Sequence, residues 1–301
     1  MATKVLVLSG GDSPEREVSL RSGSAVAVAL KQTGYEVTNA DPPGNLENLL
    51  PAMESADIVF PALHGKNGED GTVQKFMEQH GVSFVGSGSQ ASELCFDKAR
   101  YDRLLIKNDI LTPKTELVTY EEFSNSSLSK LPFVLKPNDG GSSIDNIIVR
   151  DAGQKDMESI RQVFDRHRQM LLQELITGVE TTVAVLGTEG LPVIEIVPPA
   201  EQEFDYENKY NGASQEICPP EHVSQSDQAS ARQLAVRIHQ LCGCQDMSRT
   251  DIFISGGKLY VLETNTMPGL TDRSLFPIAA AAAGLDMPAL CDRLVRSALK
   301  L

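Results

Sequence analysis

The segment Lys4-Val5-Leu6-Val7-Leu8 runs straight into Ser9-Gly10-Gly11-Asp12-Ser13, and this junction constrains the fold more than any other stretch. A short, unbroken apolar run rich in branched residues reads as a buried strand. A helical pattern follows from about Val18 to Lys31 and stops at Gly34. Strand patterns return at Tyr35 to Asn39, Asp57 to Pro61 and Ser83 to Val85. Such alternation of strand, loop and helix predicts a parallel sheet with helices on both faces. Ligands of parallel sheets bind outside the carboxyl ends of the strands. The loops Gly10 to Arg16 and His64 to Gly71 lie at those ends, and both mix glycine with charged residues.

Beyond Ser87 to Gln90 the pattern changes. Two helical stretches, Ala91 to Phe96 and Asp97 to Asn108, precede short strands at Glu116 to Val118, Phe133 to Lys136, Ile147 to Val149 and Leu171 to Leu175, with one helix from Gln154 to Arg166. This predicts a mixed or antiparallel sheet in an α+β unit. A third block holds strands at Thr182 to Leu186, Val193 to Val197, Thr250 to Ile254 and Leu259 to Leu262, flanked by helices at Asp227 to Leu241 and near the C-terminus. The expected organisation is therefore α/β followed by α+β, with units at 1–92, 93–182 and 183–301. The polar stretch 198–220 is long for an ordinary connection and reads as a lid.

A chain of 301 residues is too long for one ordinary core. Its net charge of -14 leaves no basic surface for nucleic acid. No apolar run is long enough to cross a bilayer, and Met1-Ala2-Thr3-Lys4 lacks the apolar region of a signal peptide. A cytoplasmic protein without membrane contact is expected. The five cysteines are odd in number and scattered, so they form no disulfide framework. The pair Cys242 and Cys244 is too closely spaced for a metal knuckle and reads as reduced thiols.

The most informative chemistry lies at Arg249-Thr250-Asp251 and at Glu263-Thr264-Asn265. Glu263 and Asn265 have period-two spacing, so they share one face of a strand. Three oxygen ligands on adjacent strands suit Mg2+, which completes its shell with phosphate oxygens. The alternative is a solvated strand edge; the apolar run Leu259 to Leu262 directly before Glu263 weighs against it. Lys136 ends a strand and is followed by Gly140-Gly141-Ser142-Ser143, whose amides and hydroxyls can surround phosphate oxygens. Alone, that loop reads equally well as a flexible connection. There is no GxxxxGK[ST] stretch and no dinucleotide fingerprint.

Taken together, five segments carry a resemblance. They are Gly10-Gly11-x-Ser13-x-Glu15-Arg16-Glu17-Val18-Ser19, His64-Gly65-x-x-Gly68-Glu69-Asp70-Gly71, Lys136-Pro137 with Gly141-Ser142-Ser143, Asp205-Tyr206-Glu207-x-Lys209-Tyr210, and Glu263-x-Asn265-Thr266-Met267-Pro268-Gly269. In this order and spacing, from Lys4 to about Leu294, the chain resembles the D-alanine–D-alanine ligase family of the ATP-grasp fold. The resemblance implies a three-domain ATP-grasp architecture with an N-terminal parallel-sheet domain. It also implies ATP-dependent ligation of two D-alanines for peptidoglycan precursors, two Mg2+ ions (with Mn2+ able to substitute) and a homodimer.

The resemblance also implies residue roles. Glu15 holds the amino group of the first D-alanine, with His64 nearby. Glu15, Ser142 and Tyr210 form a hydrogen-bonded set joining the N-terminal domain, the phosphate loop and the lid. Lys98, Lys136, Ser142, Ser143 and Lys209 serve the phosphate region. Gln173, Glu174 and Leu175 meet the adenine, and Glu180 the ribose. Arg249 sits beside the transferred phosphoryl group, and Asp251, Glu263 and Asn265 hold the metals. Gly269 faces the reacting oxyanion, and Ser274 receives the carboxylate of the second substrate. Tyr210 favours D-alanine over D-lactate as that second substrate.

Several positions depart from the family pattern. Asp145 stands where glycine is usual; it either faces the nucleotide and repels it or points to solvent. Gln173 replaces a common glutamate, Leu270 a common methionine, and Asp272-Arg273 replace small or neutral residues beside Ser274. The competing readings are a related ligase with a different second amino acid and a non-catalytic nucleotide-binding relative.

Overall fold

A computed structural model describes residues 2–42, 44–141, 144–198 and 214–301. The chain opens with β1 (Lys4–Leu8), α1 (Arg16–Gln32), β2 (Glu36–Ala40), α2 (Leu50–Ser55), β3 (Ile58–Pro61) and α3 (Thr72–Gln79). The three strands form a parallel sheet in the order β2-β1-β3. Alternation along β1 explains its two covered faces. Val5 and Val7 pack with Val26 and Leu30 of α1, while Leu6 and Leu8 pack with Met53 of α2 and Val73 and Met77 of α3. Burying each such side chain contributes about 1.5–3 kcal/mol. The expected fourth strand at Ser83 to Val85 is reduced to a single parallel bridge, Val59 to Phe84. Among the described residues only Val59 exchanges backbone hydrogen bonds with it, its N–H donating to the Ser83 carbonyl and its carbonyl accepting the Val85 N–H (both 2.9 Å), and turns at Gly81 and Gly86, both at positive φ, bound the run.

Two helices, α4 (Ser89–Phe96) and α5 (Lys98–Lys107), lead to β4 (Thr115–Val118), α6 (Tyr120–Asn125), β5 (Phe133–Pro137), β6 (Ile147–Val149), α7 (Met157–Arg166) and β7 (Met170–Glu174). These strands form an antiparallel sheet ordered β4-β7-β5-β6. Its inner face buries Phe133, Leu135 and Leu172 against Phe123 of α6 and Ile160, Val163 and Phe164 of α7. The expected helix start at Gln154 moves to Met157, because Asp156 caps the N–H groups of Glu158 and Ser159. Strand alternation turns Lys136 and Gln173 to the opposite face, since both pair away from the residues of that core.

The last unit contains β8 (Val179–Leu186), β9 (Glu189–Gly190), β10 (Ile194–Val197), β11 (Gln215–Ile217), α8 (Gln225–Leu241), β12 (Met247–Ser255), β13 (Lys258–Asn265), α9 (Leu275–Ala282) and α10 (Met287–Ala298). Its sheet runs β11-β10-β8-β12-β13, with β9 beside β8. Val183 and Val185 face α8, whereas Ala184 and Leu186 join a core that also holds Val5, Phe60 and the residues of α9 and α10. The first and last units thus share one core. The expected lid 198–220 needs correcting at its end: Gln215–Ile217 is an edge strand, with Ile217 opposite Glu195. Residues 199–213 of that stretch lie outside the described residues. Among the described residues no single helix is long and apolar enough to cross a membrane.

Candidate active site

A cleft of about 740 Å³ lies where the three units meet, and Glu15, His64, Lys98, Arg249, Glu263, Asn265, Gly269 and Ser274 line it. Five chain segments far apart in sequence therefore converge on one space. The loop after β1 is built by its own polar residues. The Ser13 hydroxyl donates to the His64 carbonyl (2.7 Å), and the Ser19 hydroxyl donates to the Ala62 carbonyl (2.7 Å). These bonds tie the first loop to the loop after β3. Arg16, for which the resemblance gives no separate role, clamps the base of the loop through two bonds to Asp41 and one to the Gly11 carbonyl.

Glu15 precedes α1 and is 7% exposed. The space it occupies depends on Gly65, at φ +69°, where any Cβ would come within 2.6 Å of the Glu15 Oε2 atom. His64 is also buried; its Nε2 lies 3.0 Å from the Ser22 hydroxyl and its Nδ1 3.4 Å from Glu69 Oε1. Ser22 in turn accepts the Leu270 N–H (3.3 Å), which couples the N-terminal loops to the segment carrying Gly269. Sequence reasoning missed Ser22. The signal was present: Glu15, Ser19 and Ser22 fall at i, i+4 and i+7, one face of a helix.

A second side of the cleft is assembled from α5 and the strands behind it. Lys98 donates to the Gly140 carbonyl and lies 3.7 Å from Glu263. Asn138 accepts from the Ala99 N–H (2.9 Å) and donates to Asp97 (3.0 Å), fixing the loop after β5 to the start of α5. Lys136 is 7% exposed, and burial pulls its ammonium below the ordinary value while Glu263, Asp102 and Asp251 push it back up. Tyr101 bonds Thr264 at 2.6 Å, joining α5 to β13.

The acidic set lies on β12 and β13. Asp251 pairs with Glu263 and Arg249 with Asn265 across the ladder, with an irregularity directly after Asp251. Directly opposite residues share a face, so the pairing supports the convergence expected from spacing. Asp251 accepts two bonds from Arg249, both 3.0 Å, and one from Thr182 at 2.6 Å. Asn265 accepts the Met267 N–H at 2.7 Å. Among the described residues no three His, Cys, Asp or Glu side chains form a metal cage. Two carboxylates and an amide oxygen match instead a hard cation that takes its other ligands from phosphate and water.

Gly269 has no room for a Cβ, which would meet the Ser274 hydroxyl at 2.8 Å. Ser274 lies at the start of α9, and its hydroxyl accepts the Thr271 N–H at 3.0 Å. Helix N-termini favour carboxylates there. Asp272 and Arg273 also line the cleft.

Not every expected residue lines this space. Lys136, Gln173 and Asp251 are buried and do not line it. Glu174, Leu175 and Glu180 lie around the connection between β7 and β8, where the second sheet gives way to the third. The N–H groups of Glu174 and Leu175 bond the carbonyls of Lys114 (2.8 Å) and Pro132 (3.1 Å), so those two donors are not what would meet an adenine. Gln173 donates through Nε2 to Thr115 Oγ1 at 3.0 Å. Ser142, Ser143, Lys209 and Tyr210 lie outside the described residues. Asp145 neither faces the cleft nor stands free in solvent; it is paired with Arg166 and His167.

Sequence comparison matches residues 39–87 to the profile "D-ala D-ala ligase N-terminus" and residues 104–296 to "D-ala D-ala ligase C-terminus". The D-alanine–D-alanine ligase of Syntrophobacter fumaroxidans is 40% identical over 305 residues, covering 98% of this chain and 97% of its own. That of Gloeobacter violaceus is 40% identical, covering 98% and 99%. Among solved structures, the D-alanine–D-alanine ligase of Bacillus anthracis complexed with ATP superposes with a TM-score of 0.85 at 28% identity, covering 99% of this chain and 98% of that one. The VanG D-Ala:D-Ser ligase of Enterococcus faecalis superposes at 0.83 with 28% identity, covering 99% and 100%.

Proposed function

The chain belongs to the D-alanine–D-alanine ligase family, and on that premise we propose that it uses ATP to join two D-alanines into D-alanyl-D-alanine. The observation that carries this reading is the convergence of Glu15, Lys98, Arg249, and Glu263 with Gly269 on one cleft from four separate segments. A carboxylate is a poor electrophile, so the first D-alanine must be activated as an acyl phosphate. Its amino group would be held by Glu15. Lys98, Lys136 and Arg249 would balance the charge that spreads over the transferred phosphoryl group, where positioning and electrostatics dominate. The amine of the second D-alanine, having given up a proton, would then attack the acyl carbon, with the Gly269 backbone facing the developing oxyanion and Ser274 receiving the carboxylate, and the acyl C–O bond would break to release inorganic phosphate.

Asp251, Glu263 and Asn265 would hold Mg2+ against the phosphates, where the ions neutralise charge. For that, Asp251 must share its oxygens, now bonded to Arg249, with the cation. Lys209 and Tyr210, in the stretch that precedes the edge strand β11, would close over the site and keep water from the acyl phosphate. The reading extends to the division at 1–92, 93–182 and 183–301, and to a cytoplasmic homodimer supplying peptidoglycan precursors; family membership supports the role.

A second reading, an acceptor other than D-alanine, draws on Asp272 and Arg273 at the cleft wall and on the likeness to a D-Ala:D-Ser ligase. The test is phosphate release with ATP, Mg2+ and D-alanine, then with D-serine, D-lactate or L-alanine added. The first reading expects full release with D-alanine alone. Release that appears only with an added acceptor selects the second.

A further inference from the structure

Asp145 is the family-atypical residue of the phosphate loop, and its surroundings differ from both expectations drawn from the sequence. It adopts φ +61°, the left-handed region that aspartate tolerates better than most side chains. Its carboxylate is turned onto the end of α7. Arg166 donates to it through Nη2 (2.7 Å) and Nε (3.3 Å), and His167 Nε2 lies 2.7 Å away. The Arg166 guanidinium holds the carboxyl below its ordinary range, so Asp145 is ionised and already spoken for at neutral pH.

The helix it grips is a firm anchor. α7 is capped at its start by Asp156 and buries Ile160, Val163 and Phe164 in the core of the second unit. The other end of the loop is fixed equally well, by Asn138 to Asp97 and Ala99 and by Lys98 to the Gly140 carbonyl. Gly140, whose carbonyl takes the first attachment, and Gly141 directly after it line the cleft. A glycine-rich stretch has high conformational entropy to lose on binding, and each attachment outside it lowers that cost.

We propose that Asp145 is a positioning residue, a latch to Arg166 and His167 that holds the Gly140–Gly141 stretch in place for the nucleotide. This rests on the reading that this loop meets ATP. The sign of the consequence is opposite to that of a carboxylate facing the triphosphate: removing Asp145 weakens nucleotide binding.

The experiment is a cycle of Asp145→Gly, Arg166→Ala and the double variant, with KM for ATP, KM for D-alanine and kcat measured on the full chain. Glycine suits the positive φ, so the backbone is not strained; the added freedom it brings to the loop is controlled by Arg166→Ala, which breaks the same pair without altering the loop sequence. Each single variant is expected to raise KM for ATP about fivefold, the scale of one partly exposed ion pair, with kcat and KM for D-alanine within about twofold. The double variant should be no worse than either single one. Asp145→Asn, which keeps the backbone preference and one acceptor, should recover part of the loss. An unchanged KM for ATP overturns the proposal, even if the melting temperature falls, and so do additive effects in the double variant. A lowered KM overturns it too and places Asp145 against the nucleotide. If the wild-type chain consumes no ATP with D-alanine, the functional reading has failed instead.

Discussion

Asp102 sits one helical turn after Lys98 on α5, is 3% exposed, and neither of its carboxylate oxygens has a hydrogen-bond partner among the described residues. Burial raises its pKa from 3.8 to about 6; Lys136, Thr115 and Lys98 pull it down, and Glu263 pushes it further up. The Thr115 hydroxyl helps little, because its proton goes to the Pro113 carbonyl at 3.0 Å. Between pH 3.8 and 6 the folded chain holds this proton more tightly than the unfolded chain. Stability is therefore lost as pH rises through that window. At about 1.4 kcal/mol per pH unit, the ionised carboxylate costs about 3 kcal/mol at neutral pH and roughly half of that at pH 5. Replacing Asp102 by Asn removes the charge at similar volume. The variant should be more stable than the wild type at pH 7.5, by up to about 3 kcal/mol, with the gain shrinking by about half at pH 5. Urea unfolding at the two pH values measures this difference, and a constant offset from amide hydrogen bonding cancels in the comparison. A gain that is the same at both pH values, or a loss at pH 7.5, would refute the argument.

Other consequences follow from the same geometry. Glu263→Gln removes one of the two carboxylates of the proposed cation set and should lower turnover at least roughly hundredfold, with the residual rate recovering as Mg2+ is raised; near-normal turnover at low Mg2+ would sink the metal assignment. Gly65→Ala forces a side chain into positive φ, costing about 1–2 kcal/mol, and pushes on the Glu15 carboxylate. KM for D-alanine should rise well beyond KM for ATP, and an even rise in both would separate Glu15 from the amino-acid subsite. Ser22→Ala removes the hydroxyl that contacts His64 and accepts the Leu270 N–H. A drop of about 1 kcal/mol in stability, seen in thermal melts, should accompany a loss of kcat.

Much of the fold was legible because its signals are local. The apolar run of β1, the long helix α1 and the β12–β13 pair carry their periodicity within a few residues, and each stands where its pattern put it. Short helices were not legible: Leu50–Ser55 and Tyr120–Asn125 span less than two turns, too few residues for a helical period to show. The site divides in the same way. Glu263 and Asn265 could be paired by period-two spacing, and the glycine-rich loops marked the strand ends. Contacts that close over long separations left no trace in the pattern. Arg16 meets Asp41, Asp145 meets Arg166, and Tyr101 meets Thr264, 163 positions away. Asp145 shows the limit most clearly. Its distance from a phosphate could be guessed from the motif, but its direction depends on where α7 ends, which only the packed second sheet decides.

The central claim is that this cleft couples ATP to a bond between two D-alanines. Purified full-length chain incubated with ATP, Mg2+ and D-alanine as the only amino acid should form ADP and D-alanyl-D-alanine in equal amounts, resolved by mass spectrometry. ADP without dipeptide would mean that the acyl phosphate is lost to water, and neither product would contradict the assignment outright.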